Sequence, residues 1–369
     1  MKPLDALVPT DFRSSIRGPL RRFYACTFIA CIGNGLTLSL FVIYLHNVRH
    51  FSTSFATLLL ALSAVVGLAS APLWGTMTDR IGPLRVILFA YAAYGAALVY
   101  WALVHTRLQA IVAALLIAVF GGAGWGPMTT MLSRLVSPEH RQRAFGVNFM
   151  LVNLGIGFGT LISASVVDLK RPDTFSALYI FNAGVMLLAA FFYLTIRHHG
   201  GPIKEHDDPQ KSAEGWGVVA RDRRMIRYVV ALVFLMIGGY GSLDAGLSLF
   251  VVNNLKLSVH TIGVIFFFNT TTIVLAQLWV LNRIDGRSRT RVMGVVAALW
   301  FIFWIILEST LALPAAASIP MLCLAMVVFA VGETMLQPVG SAIVNEIAPE
   351  HLRGRYNAAA GLSWGLSST

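Results

Sequence analysis

Long uninterrupted apolar runs alternate along this chain with short polar stretches. The runs cover residues 23–48, 55–77, 86–105, 108–135, 145–167, 175–196, 225–252, 262–281, 292–311 and 319–345. Each is about 20 residues or longer, the length an α-helix needs to cross a bilayer core about 30 Å thick. Strands of a membrane barrel alternate apolar and polar positions over about ten residues; these runs are continuous, so they read as helices. Ten complete spans are therefore expected. An eleventh begins at Arg355 and reaches Thr369 after about 15 residues, too few to cross, so the chain reads as C-terminally truncated. Residues 1–20 are polar and interrupted by proline, which predicts that the first apolar run is a true span and not a cleaved leader.

Composition agrees with the pattern. Hydrophobic residues make up 57% of the 369 and charged residues only 12%, more apolar surface than a soluble domain could bury. The expected class is an all-α integral membrane protein. The net charge of +11 raises nucleic acid as a partner, and the distribution of the charge answers it. All but five of the 28 Lys and Arg fall on one side of the alternating spans; the exceptions are Arg49, Arg107, Lys170, Arg171 and Lys256. That asymmetry is the positive-inside signature, so the N-terminus is expected in the cytoplasm of a cell whose inner (cytoplasmic) membrane holds the protein. The basic residues then orient the chain and meet anionic lipid. No basic aromatic platform for nucleic acid accompanies them, and the lipid bilayer is the expected partner.

The chain repeats itself. SPEHRQRAF at 137–145 returns as APEHLRGRY at 348–356, and Gly121, Pro127, Pro138, Glu139 and His140 match Gly332, Pro338, Pro349, Glu350 and His351 at one constant offset. A one-residue gap then aligns Arg141 and Arg143 with Arg353 and Arg355. A weaker echo pairs TDRIGPLR at 78–85 with NRIDGRSR at 282–289. Parallel six-helix repeats follow: a bundle over residues 1–196, a hydrophilic linker over 197–224 that ends in a short surface helix, and an incomplete second bundle over 225–369. Ser137 is placed to cap the turn that begins at Pro138.

The loop GTMTDRIGPLR has its own chemistry. Gly75 leaves room for a close helix neighbour, and Gly82 with Pro83 makes the tight turn of a short loop. Asp79, at the end of the second span, can pair with Arg80 or Arg85 or face the positive N-terminal end of another helix. With the repeat and the span spacing, this loop resembles the signature of the major facilitator superfamily. GETMLQPVGSAIVNEIAPEHLRGRY and YGSLDAGLSLF are similar to segments of bacterial drug and metabolite efflux permeases. The resemblance implies two six-helix bundles related by a pseudo-twofold axis, with Gly75, Asp79, Arg80, Gly82 and Arg85 forming a cytoplasmic gate against Arg353 and Arg355 at the start of span eleven.

Transport requires polar groups inside the spans. Asp244 and Glu333 are acids within spans seven and ten, each costing about 2.5–3.5 kcal/mol at a bilayer centre, and such residues normally face a cavity and serve protons, ions or substrate. A low dielectric favours the neutral, protonated form of a carboxyl, which suits proton carriage. The plainer readings are that Asp244 faces an outer vestibule and that Glu333 hydrogen-bonds a neighbouring helix. Asn34, Tyr240, Asn269 and Gln277 are further proton or substrate candidates, with Asn148 and Asn153 beside them; each could equally bridge two helices. Trp125 and the run Phe266, Phe267 and Phe268 could line an aromatic pocket. Cys26, Cys31 and Cys323 lack metal or redox spacing, so no metal or cofactor is expected.

The chain departs from proton-coupled drug antiporters of that superfamily in two places. LLIAVFGGAGWG at 115–126 carries no arginine, and Thr160, Ser163 and Ala164 replace the proline and paired glycines usual in span five. The leading expectation is a monomeric secondary transporter working by alternating access and exporting a small organic compound or drug with protons as coupling ion. Proton-coupled metabolite uptake is the alternative, and a non-transporting membrane sensor the alternative from another class. With no HExxH and no phosphate loop, an enzyme is not expected.

Overall fold

A computed structural model of the chain describes residues 12, 14, 16, 18–38, 40–201, 215–241 and 243–367, and the side chains of Asp244, Ala245, Ser248, Val259, His260 and residues 364–367 lie outside that description. Among the described residues the elements are helices, with no strand. The first half contains α1 (Pro19–Thr37), α2 (Thr53–Ile81), α3 (Pro83–Ala102), α4 (Arg107–Gly121), α5 (Trp125–Leu135), α6 (Arg141–Val166) and α7 (Asp173–Tyr193). After a short helix, α8 (Trp216–Arg221), come α9 (Arg223–Tyr240), α10 (Asp244–Leu249), α11 (Val259–Ile284), α12 (Arg289–Ser309), α13 (Ala315–Ile347) and α14 (Arg353–Ser367).

Eight helices among the described residues are long and apolar enough to cross a membrane, α4 and α5 counting as one. A ninth is reached if α1 and the stretch beyond its 41° bend, Phe41–Val48, form a single span. The run at 225–252 is divided: α9 stops at Tyr240, and α10 leads into a π-helical turn, Phe250–Asn254.

Local chemistry sets the helix ends. Ser52 accepts from the backbone N–H of Phe55 to start α2, and Thr106 and Gln109 form a reciprocal capping box at α4. The turn from α2 to α3 needs Gly82, whose φ of 90° few side chains tolerate, and Pro83 then opens α3 with its fixed φ. Both repeated loops fold as 3₁₀ turns, Pro138–His140 and Glu350–Leu352, before α6 and α14. Ser137 stands at the cap position of the first turn, but its hydroxyl makes no cap hydrogen bond. The 3₁₀ turn has few orphan amides for it to meet.

Small residues permit the closest approaches, as expected where lipid removes the hydrophobic drive between helices. In α6, a Cβ at Gly155 would lie 2.8 Å from Cys31 Cβ and from the Phe28 carbonyl of α1. In the second half α13 packs between α11 and α12. The halves meet where α2 lies on α14 and where α6 lies against α11 and α13.

Away from the basic loops, Arg49 explains one of the five exceptions in the charge pattern. Its Nη2 donates to the Ala102 carbonyl at the end of α3 (2.6 Å) and its Nε to the Tyr44 hydroxyl (2.9 Å), a cation placed at a helix C-terminus.

Candidate functional site

At the basic end, Asp79 turns away from the exposed Arg80 and Arg85 and towards the first turn of α14. Its Oδ1 accepts from the Gly354 backbone N–H at 2.6 Å and its Oδ2 from that of Arg355 at 3.2 Å. The Arg355 guanidinium adds an ion pair at 3.4 Å, with the two side chains only 8% and 3% exposed. A carboxylate thus meets both the orphan amides and the positive end of a helix dipole. Gly75, one turn earlier, makes the approach possible, since a Cβ there would lie 2.7 Å from Ala358 Cβ and 2.9 Å from the Gly354 carbonyl. Arg353 pairs instead with Glu350, three residues earlier, because the start of the helix turns its side chain away from Asp79.

The second echo has a physical counterpart. With a one-residue shift Asn282 precedes Arg283 and Ile284 as Asp79 precedes Arg80 and Ile81, and Arg143 aligns with Arg355. Arg143 donates to Asn282 Oδ1 at 2.8 Å and to Asp285 Oδ2 at 2.6 Å, which ties the start of α6 to the end of α11. Two contacts of the same plan therefore cross the basic end. Asp285 is 47% exposed, so the second pair is more strongly screened than the first.

Further polar links lie here that reading the sequence did not single out. Asn357 of α14 donates to Thr130 Oγ1 of α5 (3.2 Å), to Asn345 Oδ1 of α13 (3.2 Å) and to the Arg353 carbonyl (2.9 Å). Arg141 reaches the Asn345 carbonyl at 3.4 Å. Trp216 of α8 donates to Thr76 Oγ1 of α2 (2.9 Å), and the Tyr356 hydroxyl donates to Asp222 Oδ2 (2.7 Å). Asn345 and Asn357, polar residues in apolar helices, were the available signal.

Beyond this closure lies a cavity of about 410 Å³ between the halves. Its wall is mostly apolar, formed by α2 around Ala71 and Trp74 and by α6 at Phe149 and Val152; Gln337 and Asn357 supply its polar atoms. Trp125 lines it at the break between α4 and α5, and Gly75 sits at its base. The cavity has the character of a small-molecule site: concave, apolar and furnished with few polar groups.

Inside the second half, Glu333 of α13 is brought together with Tyr240 of α9 and Asn269 of α11. Tyr240 donates its hydroxyl to Oε1, and Asn269 Nδ2 donates to Oε2 at 2.6 Å. Aromatic rings wall this group: Trp300 stacks on Phe329 with centroids 5.0 Å apart, and Tyr240 meets both edge-on. Gly332 gives Trp300 its space, as a Cβ there would sit 2.9 Å from Trp300 Cδ1. Three of the expected polar residues thus form one site, and it lies off the cavity wall, with Glu333 7% exposed.

The other candidates are dispersed. Gln277 is buried and donates to the Thr334 carbonyl at 3.0 Å, bridging α11 and α13. Asn34 is exposed on α1, and Asn153 donates to Phe149 one turn earlier in its own helix. Phe267 and Phe268 are exposed, while Phe266 packs into the core of the second half. Asp244 opens α10 just after the break in the seventh run, and its side chain lies outside the described residues.

Comparison with known proteins agrees with this architecture. The chain is 25% identical over 331 residues to the uncharacterized MFS-type transporter YttB of Bacillus subtilis (strain 168), covering 89% of this chain and 80% of that protein. It is 23% identical over 344 residues to a Na(+), Li(+), K(+)/H(+) antiporter of Planococcus maritimus, covering 86% and 79%. Among solved structures, a bacterial homologue of the iron transporter ferroportin in an outward-facing state superposes with a TM-score of 0.77 at 11% identity, over 94% of this chain and 89% of that one. Residues 23–369 match the Major Facilitator Superfamily, and the chain belongs to that family of membrane transporters.

Proposed function

We propose that this transporter works by alternating access and couples proton movement through Glu333 to the export of a small organic compound. The observation that carries the reading is the Glu333 carboxylate, buried between α9, α11 and α13 with Tyr240 and Asn269 donating to its two oxygens. Both donors favour the charged form, while the surrounding Trp300 and Phe329 rings favour the neutral one. A carboxyl balanced in this way exchanges a proton when its neighbours move. Because the three helices carry one group each, rocking of the second half changes the hydrogen bonds and the proton affinity together.

The apolar cavity favours an organic cargo, which Gln337 and Asn357 would orient. Asp79, with Arg355 and the Gly354 amide, acts as the gate of the basic end, assigned here to the cytoplasmic face of the inner membrane, and the protein acts as a monomer. Asp244 is a second proton candidate at the broken seventh span. A second reading, in which a monovalent inorganic cation is the cargo, takes its support from the antiporter relative.

The test uses purified protein in liposomes with an imposed pH gradient and a lipophilic cationic dye as probe. Glu333→Gln is expected to abolish gradient-driven dye movement while dye exchange without a gradient persists. Unchanged gradient-driven flux in that variant removes Glu333 from the coupling. A sodium gradient that drives proton movement without any dye favours the second reading. The same assay on Asp244→Asn decides whether that acid belongs to the path.

A further inference from the structure

We propose that a second cavity, outside the transport path, binds the headgroup of an anionic phospholipid. It measures about 1170 Å³ and lies at the basic end, between α9, the loop joining α11 to α12, and the end of α13. Four guanidinium groups line it: Arg224 and Arg227 on α9, Arg287 in the loop and Arg289 at the start of α12. Arg224, Arg227 and Arg287 are exposed, and among the described residues none of these three forms an ion pair.

The acids beside them are mostly committed elsewhere. Asp285 is held by Arg143, and Glu346 pairs with Arg289. Glu139 is the remaining carboxylate on the wall, so the other three cations face one anion. A zwitterionic headgroup would bring an ammonium into that excess of positive charge. An anionic headgroup brings a phosphate that guanidinium groups grip in pairs of hydrogen bonds.

The wall of the cavity separates a lipid from a free anion. Met293, Ile343 and Ile347 line it as well, and these belong to the same helices that carry the chain through the membrane. A phospholipid can place its phosphate among the arginines and its glycerol and first methylenes on these side chains. Inorganic phosphate would use only the charges. Basic pockets at the ends of membrane helices bind anionic headgroups in this way, with each cation near the surface contributing to the affinity.

The site also couples to the fold. Arg224 gives its backbone N–H to Asp222, whose carboxylate holds the Tyr356 hydroxyl of α14. A lipid clamped on Arg224 and Arg227 therefore braces the start of α9 next to the contact between the linker and α14.

The experiment measures thermal unfolding of the purified full chain in detergent as phosphatidylglycerol, phosphatidylcholine or inorganic phosphate is added. Phosphatidylglycerol is expected to raise the apparent Tm of the wild type, with half-maximal effect at a concentration that the pair Arg224→Gln and Arg227→Gln raises by roughly ten- to thirty-fold. The pair Arg224→Lys and Arg227→Lys should keep most of the shift because it keeps the charge. Arg287→Gln reports independently if the double Gln variant does not fold. Three results overturn the proposal: an equal Tm shift in the Gln variants, an equal shift from phosphatidylcholine, or the whole shift from inorganic phosphate alone.

Discussion

Asp79 of α2 and Gly354 of α14 are 275 residues apart in sequence and joined by a 2.6 Å hydrogen bond from the glycine backbone N–H to the carboxylate. The bond joins the two halves at the basic end. It exists because neither Gly75 nor Gly354 carries a Cβ at the crossing. The charge, the amide and the space for both come from three places in the chain, and each can be removed separately.

Gly354→Ala removes the space. A Cβ there would lie 2.5 Å from the Gly75 carbonyl, which is backbone and cannot yield without parting the helices, and 2.6 Å from Asp79 Oδ1, which can yield only by giving up its hydrogen bond. Pulsed electron paramagnetic resonance between labels at the exposed positions Arg85 and Arg287 should show the basic end wider, with the closed population reduced about ten-fold or more. An unchanged distance distribution would mean that the crossing absorbs the methyl group.

The link from Tyr356 to Asp222 should be pH-dependent. Partial burial works against the charged carboxylate, but the Tyr356 hydroxyl and the Arg224 and Met225 amides outweigh it and hold the carboxyl below its ordinary range. A depressed pKa contributes stability that is present above the ordinary carboxylate value of about 3.9 and is lost as the pH falls through the depressed value. Tyr356→Phe should therefore lower stability at pH 7 by no more than about 1 kcal/mol, since the site is partly open to solvent. The difference from wild type should shrink at about pH 3; Tm measured at both pH values checks the sign.

Trp300 tests what holds the second half together. It is 2% exposed, stacks on Phe329 and donates its indole N–H to the Phe329 carbonyl at 3.2 Å. Trp300→Ala should cost about 2 kcal/mol or more, mainly through lost packing, because lipid supplies little hydrophobic drive between helices. The cavity also frees the Tyr240 ring that reaches Glu333. Heat stability and gradient-driven flux should fall together, and a variant of wild-type stability would contradict the packing account.

Eight of the ten expected spans were legible in the sequence because bilayer thickness fixes a helix length that hydropathy reports directly; the first run is bent and the seventh divided. Gly75 and Gly82 were legible too, since a close crossing and a tight turn each demand a residue without Cβ. Hydropathy is silent about backbone bends, so the breaks after Thr37, after Gly121 and after Tyr240 did not show in equally apolar runs. Partner choice was also hidden: Asp79 had four basic candidates, Arg80, Arg85, Arg353 and Arg355, and only the approach angle of α14 selects Arg355 and sends Arg353 to Glu350. The meeting of Tyr240, Asn269 and Glu333 depends on three helices at once. Each residue could be singled out as polar in an apolar run, but no local pattern encodes their convergence.

The most direct test of the gate is a cysteine introduced at Ala71 on the cavity wall, labelled by a membrane-impermeant maleimide offered from the basic side. Cys26, Cys31 and Cys323 are buried, so the parent chain supplies the background. Asp79→Asn keeps the size of the side chain but loses its charge, and hydrogen bonds to a charged group are worth about 1.5–3 kcal/mol. Labelling from the basic side should therefore rise about ten-fold or more over the Ala71→Cys protein with Asp79 intact. An unchanged labelling rate would contradict the account that this carboxylate holds the basic end of the transporter closed.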